Sequence, residues 1–126
     1  MAEPGARRVR DLLSGGIAAT SRLSEVEVAS ALSRRCREGA FPPGERDRAL
    51  AALHHDFATL FVVELSPEVV VRAVTLLSRL ALRAQDSIQL ASCLELRDQL
   101  GAPCLFVCGD VRLIAAARQE GLATVP

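Results

Sequence analysis

The sequence predicts an α/β fold: one domain over residues 1–126, with a parallel sheet of about four strands covered by helices on both faces. Three observations carry this. Short apolar runs alternate with longer segments of helical periodicity, the pattern of a sheet buried between helix layers. Residues 104–108 are apolar apart from their thiols, as a strand buried on both faces must be. Half of the 126 residues are apolar, enough for a real core and too many for a disordered chain.

In chain order, residues 3–13 read as a first helix, with Pro4 in its first turn and Gly15-Gly16 at its end. Residues 17–20 form a short strand. A long helix then runs from Ser24 to about Glu38, apolar at Val26, Val28, Ala29, Ala31 and Leu32. Arg34, Arg35 and Arg37 cluster at its end, where cations complement the helix dipole. Phe41-Pro42-Pro43-Gly44 is a loop. Residues 45–57 are helical and residues 61–65 extended. Ser66 caps the next helix, with Pro67 at its first position.

Residues 83–117 are the centre of the chain. A helix opening near Asp86 is stopped by Gly101-Ala102-Pro103. The strand at 104–108 follows, and then a helix opened by Asp110 and ended at Gly121. Residues 122–125 suit an edge strand. The helix before the strand runs antiparallel to it, which brings Asp86 and Asp110 to one rim of the sheet. Glu27, following the first strand, falls on that rim too. In open α/β sheets the site lies outside the carboxyl ends of the strands.

Several function classes are excluded. Net charge is zero, so there is no uniform basic coat of a general nucleic-acid binder. All fifteen cationic side chains are arginine, a residue that grips phosphate in a bidentate fork. No stretch is apolar enough to span a bilayer and no apolar leader opens the chain, so a cytoplasmic protein is expected. Cys36, Cys93, Cys104 and Cys108 include no C-x-x-C pair and read as buried free thiols. His54 and His55 are neighbours on a helix and point apart, so they are read as surface residues rather than joint ligands. There is no Walker motif, nucleophile elbow or H-E-x-x-H.

Each acid also has a purely structural reading. Ser24 to Glu27 fits a capping box, Asp86 to Gln89 a looser one, and Asp110 an ordinary N-cap. Taken together they mean more, because carboxylates repel and are gathered at one place where a hard cation binds. Mg²⁺ or Mn²⁺ there would polarise a phosphodiester and generate the attacking hydroxide, with the acids as ligands or as the base that orients water.

The segments RAQDSIQLASCLEL and LFVCGDVRLIAAARQEGL resemble the last two acidic motifs of the PIN-domain ribonucleases, in particular the VapC-type toxins. TSRLSEVEVASAL resembles that family's second motif, with Glu27 at the acidic position. The resemblance implies a PIN-like fold of five strands in its intact form. It also implies a metal-dependent ribonuclease site in which Glu27, Asp86 and Asp110 are catalytic and hold Mg²⁺ or Mn²⁺. Single-stranded RNA as substrate, a small antitoxin as inhibitor and a homodimer are implied in the same way. The alanine-rich helix from Ser24 and the helix after Gly44 are the candidate dimer face.

Two positions depart from the family pattern. The opening strand with its aspartate has no counterpart, and the expectation is a chain truncated at its N-terminus relative to the family. Cys108 stands where the family usually has Thr or Ser. In the family's sheet the absent strand lies between those at 17–20 and 104–108. These two should therefore close up and pair, or be joined by a segment of a second chain. Three readings remain open: a PIN-type metal-dependent endoribonuclease, a catalytically inactive PIN scaffold that binds a protein partner, and an unrelated α/β module whose acids only cap helices.

Overall fold

The four strands lie where the apolar runs placed them, but they pair as two separate ribbons instead of one sheet. The computed structural model describes Arg7 and residues 16–125. The helix expected at residues 3–13 lies outside the described residues, apart from Arg7. Strand β1 (Ala19–Ser21) leads into a pair of helices, α1 (Arg22–Arg37) and α2 (Pro43–Thr59), and then β2 (Phe61–Val63). Helices α3 (Pro67–Leu77) and α4 (Ala84–Leu100) follow, then β3 (Leu105–Phe106), α5 (Val111–Gln119) and β4 (Ala123–Thr124). β1 pairs with β2 in parallel, Thr20 opposite Val62, and β3 pairs with β4 in parallel, Phe106 opposite Thr124. The chain is α/β as expected, mostly helical, with small parallel sheets.

Among the described residues β1 and β3 do not pair with each other. The expected closure assumed that their free edges are buried. Neither strand is buried along its length: Ala19 and Leu105 are exposed, while Ser21 and Phe106 are buried. Strand length is limited too. Residues 104–108 are apolar enough for a five-residue strand, but their only partner among the described residues is the two-residue β4, and β3 is two residues long.

Three helices start about two residues earlier than expected: α1 at Arg22, α2 at Pro43 and α4 at Ala84, so the looser capping box from Asp86 to Gln89 does not form. α1 begins at Arg22, capped by Ser21, whose side chain accepts from the Leu23 amide. Ser24 is therefore inside the helix and the Ser24–Glu27 capping box does not form. At α3 the expected cap is present: the Ser66 side chain accepts from the Val69 amide, with Pro67 at the first position. α4 ends at Gly101, which adopts φ 63° and returns its N–H to the Arg97 carbonyl. An L side chain is disfavoured in that conformation. Gly101→Ala is expected to lower stability by about 1–2 kcal/mol, read by urea unfolding.

One core runs through the molecule. Leu90, Ala91 and Leu94 of α4 are buried with Val69, Ala73 and Leu76 of α3, and Phe106, Leu113, Ala116, Ala117 and Leu122 complete the cluster. All four cysteines are free and half-buried. Burial pushes the Cys93 thiol up to about 11, which makes it a poor nucleophile. No described helix is long and apolar enough to cross a membrane.

At the rim of the α3–α4 seam, Arg72 reaches Glu95 at 2.7 Å and Asp98 at 2.5 Å. Its hydrogen bond to Asp98 holds that carboxyl below its ordinary value of 3.8. A depressed folded-state value means that the folded chain binds the proton less readily than the unfolded one. The stabilisation is thus present above the ordinary value and is lost as pH falls through the folded one. Arg72→Met should therefore lower stability at pH 7 more than at pH 3, by urea unfolding at both. An equal loss at both would assign Arg72 a packing role alone.

Candidate active site

Asp86 and Asp110 are placed by the two helix starts that flank β3. Arg83 is extended, with φ −75° and ψ 160°, and the chain turns helical at Ala84, so Asp86 lies in the first turn of α4. The Asp86 side chain is 17% exposed. Asp110 is the N-cap of α5. Its Oδ1 accepts from the Arg112 amide at 2.8 Å and the Leu113 amide at 3.2 Å. Capping uses one oxygen of this carboxylate and leaves Oδ2 for other partners. Both carboxylates sit at the positive end of a helix dipole.

The two aspartates meet at one guanidinium. Arg83 Nε lies 3.3 Å from Asp86 Oδ2, and Arg83 Nη2 lies 3.8 Å from Asp110 Oδ2. Cys108 lies beside the pair. Its thiol is pushed up first by burial, the hydrogen bond to the Asp110 backbone opposes this, and the charges of Asp110 and Asp86 add to the rise. The Cys108 Sγ is 3.7 Å from the Asp110 carbonyl oxygen. A hydroxyl at this position would bond the neighbouring groups strongly; the thiol bonds them weakly.

Glu27 is fixed differently. Its Oε1 accepts from Gln89 Nε2 at 2.6 Å, and the same amide nitrogen lies 3.0 Å from Ser24 Oγ. Thr20 donates to Ser24 at 2.9 Å. Gln89 is three residues after Asp86, one turn further along the same side of α4. A chain of polar contacts thus runs from the end of β1 through α1 to the start of α4. Glu27 contacts that helix through Gln89. It lines a groove of about 370 Å³ with Ser24, Val28, Ala31, Leu32 and Arg35; Asp86 and Asp110 do not line it.

Gln89 and Arg83 carry roles that the sequence reading did not assign. Gln89 does not close the capping box that its spacing from Asp86 predicts; its amide donates to Glu27 and Ser24. The spacing of Arg83 to Asp86, three residues on one helix start, was legible. Its second partner, Asp110, is 27 residues away and needed the fold.

The donor set is oxygen only, which suits Mg²⁺ or Mn²⁺. Among the described residues no group of three or more His, Cys, Asp or Glu is gathered closely enough to hold an ion. Mg²⁺ is commonly held by one or two carboxylates, with water and substrate phosphate completing the shell, so the convergent pair Asp86 and Asp110 fits such a cation. His54 and His55 are exposed, as expected; His54 Nδ1 stands 3.8 Å from Glu25 Oε1.

The profile of the PIN domain matches residues 2–105. The chain belongs to the PIN domain family. This is a nuclease-type fold, and PIN domains act on RNA and generally use divalent metal ions. A search of the curated proteins found no match. The PIN match includes Glu27 and Asp86 and stops before Asp110, so the case for Asp110 is the geometric one given above. Asp86 caps nothing, since α4 has no side-chain cap.

Proposed function

We propose that this PIN domain is a divalent-cation-dependent endoribonuclease of the VapC toxin type, hydrolysing phosphodiester bonds in single-stranded RNA. The observation that carries this reading is the convergence of Asp86 and Asp110 on one positive charge at the starts of α4 and α5. Asp86 and Asp110 would hold Mg²⁺ or Mn²⁺, with Glu27 the third acid. A cation held there would polarise the scissile phosphate and lower the pKa of water. Asp110 keeps Oδ1 on the backbone of α5, so its free oxygen has a fixed direction. Gln89 holds the Glu27 carboxylate by a donated hydrogen bond and keeps it oriented towards α4. A cytoplasmic toxin, an inhibiting antitoxin and a homodimer belong to the same proposal. Val26 and Val28, exposed on α1, support that helix as part of the dimer face.

The second reading, a PIN scaffold that binds a protein partner without cleaving RNA, draws on one observation. Glu27 is engaged by Gln89, and the groove that Glu27 lines includes neither Asp86 nor Asp110.

The test is incubation with a single-stranded RNA in Mn²⁺ or Mg²⁺. Slow internal cleavage that stops with EDTA is expected. Cleavage indifferent to EDTA overturns the metal-dependent reading, and no cleavage under either cation supports the scaffold. Gln89→Leu should reduce the rate by about 10-fold, the low end for losing a group that orients a ligand.

A further inference from the structure

Arg83 occupies a position that folding alone does not favour. It is the N-cap residue of α4, where Ser, Thr, Asp and Asn are preferred because their side chains accept from free amides. Arginine has no acceptor, and the helix has no side-chain cap. A cation at a helix N-terminus also opposes the helix dipole. The side chain contributes no packing of note, being 70% exposed. Its contacts are the two carboxylates, Asp86 at 3.3 Å and Asp110 at 3.8 Å, both long for ion pairs.

The geometry points to Arg83 as a built-in competitor for the metal position: its guanidinium bridges Asp86 and Asp110 in the cation-free protein and is displaced when a divalent cation binds between them. This inference rests on the reading of those two aspartates as cation ligands. The guanidinium neutralises two carboxylates that would otherwise repel each other across the rim. Its exposure lets it swing away without disturbing the core, and exposed pairs of this length are individually weak. A doubly charged ion that binds oxygen directly can therefore displace it. Arg83 acts here as a positioning residue. It sets how much free cation the site needs, because the cation must break two ion pairs and then sit near a residual positive charge.

The test is Mn²⁺ binding to the full chain without RNA, by titration calorimetry. Arg83→Gln removes the charge and keeps length and polarity. It is expected to tighten the Mn²⁺ dissociation constant by about threefold to tenfold, as expected for two exposed ion pairs. Arg83→Lys should restore a value close to that of the natural chain, an outcome that a purely structural role does not produce. Asp110→Asn should remove Mn²⁺ binding in both backgrounds. If Mn²⁺ binds the natural chain, is lost with Asp110→Asn and is unchanged or weaker with Arg83→Gln, the competitor role is overturned and the metal site stands. If neither the natural chain nor Arg83→Gln binds Mn²⁺, both are overturned.

Discussion

Asp110→Asn is expected to reduce Mn²⁺-dependent RNA cleavage by about 100-fold or more, with the fold intact. The two effects separate because the cap uses Oδ1, while the proposed cation would be held through the charge on the carboxylate and its other oxygen. Oδ1 accepts from the Arg112 and Leu113 amides, and an asparagine side chain supplies the same acceptor at an N-cap. The cap is therefore preserved. The negative charge is not, and the charge is what a divalent cation requires. Loss of the charge near the helix dipole should cost less than about 1 kcal/mol in urea unfolding. Asp110→Ala removes both functions and should lose about 1 kcal/mol of stability as well. Asp86→Asn is a cleaner probe, because Asp86 caps nothing. It should match Asp110→Asn in activity with little change in unfolding. Robust cleavage by the Asp86→Asn, Asp110→Asn double variant would place the chemistry elsewhere.

How far the sequence led depends on whether a feature is local. Ser66 and Pro67 mark the start of α3 with residues that act within one turn, and the helix begins there. Gly101 likewise stops α4 by its own backbone conformation. The start of α1 was misplaced because TSRLSEVE holds two serines, each with a polar residue three positions on. Ser21 becomes the cap since it is the last residue of β1, and β1 forms by pairing Ala19, Thr20 and Ser21 with Phe61, Val62 and Val63. That contact spans 42 residues and leaves no local trace. The division into two ribbons was hidden for a similar reason. An apolar run states that a strand prefers burial, not how many partner residues it will find.

At the site, residue types were legible and their contacts were not. An aspartate at each of two helix starts is visible in the sequence, and the strand between them brings them to one rim. That Asp110 both caps α5 and faces Arg83 needed the coordinates of both helices. Glu27 was read as reaching back to Ser24 within α1. It reaches across to Gln89 instead; the helix begins at Arg22 with Ser21 as its cap, so Ser24 is not the N-cap that a capping box with Glu27 requires.

Leu90→Ala is expected to cost about 2–5 kcal/mol, the range for deleting a fully buried leucine side chain and leaving a cavity. Leu90 is 0% exposed and lies in the same core cluster as Leu76 of α3 and Leu94 one turn on. A domain's whole stability is about 5–15 kcal/mol, so this single change removes a large share of it. The urea midpoint should fall with an unchanged slope, because the loss is in native packing and not in the surface exposed on unfolding. Leu100→Ala provides the contrast. It lies on the same helix but is 61% exposed, and it should change stability by no more than about 0.5 kcal/mol. The site should feel the first change as well. Gln89 and Asp86 ride on the turn that Leu90 anchors, so partial release of α4 loosens the bond from Gln89 to Glu27 before the chain unfolds. Hydrogen exchange at the first turns of α4 should therefore accelerate in Leu90→Ala at urea concentrations where the fold persists. A loss below about 1 kcal/mol would show that the α3–α4 seam is not what holds the two acidic helix starts in place.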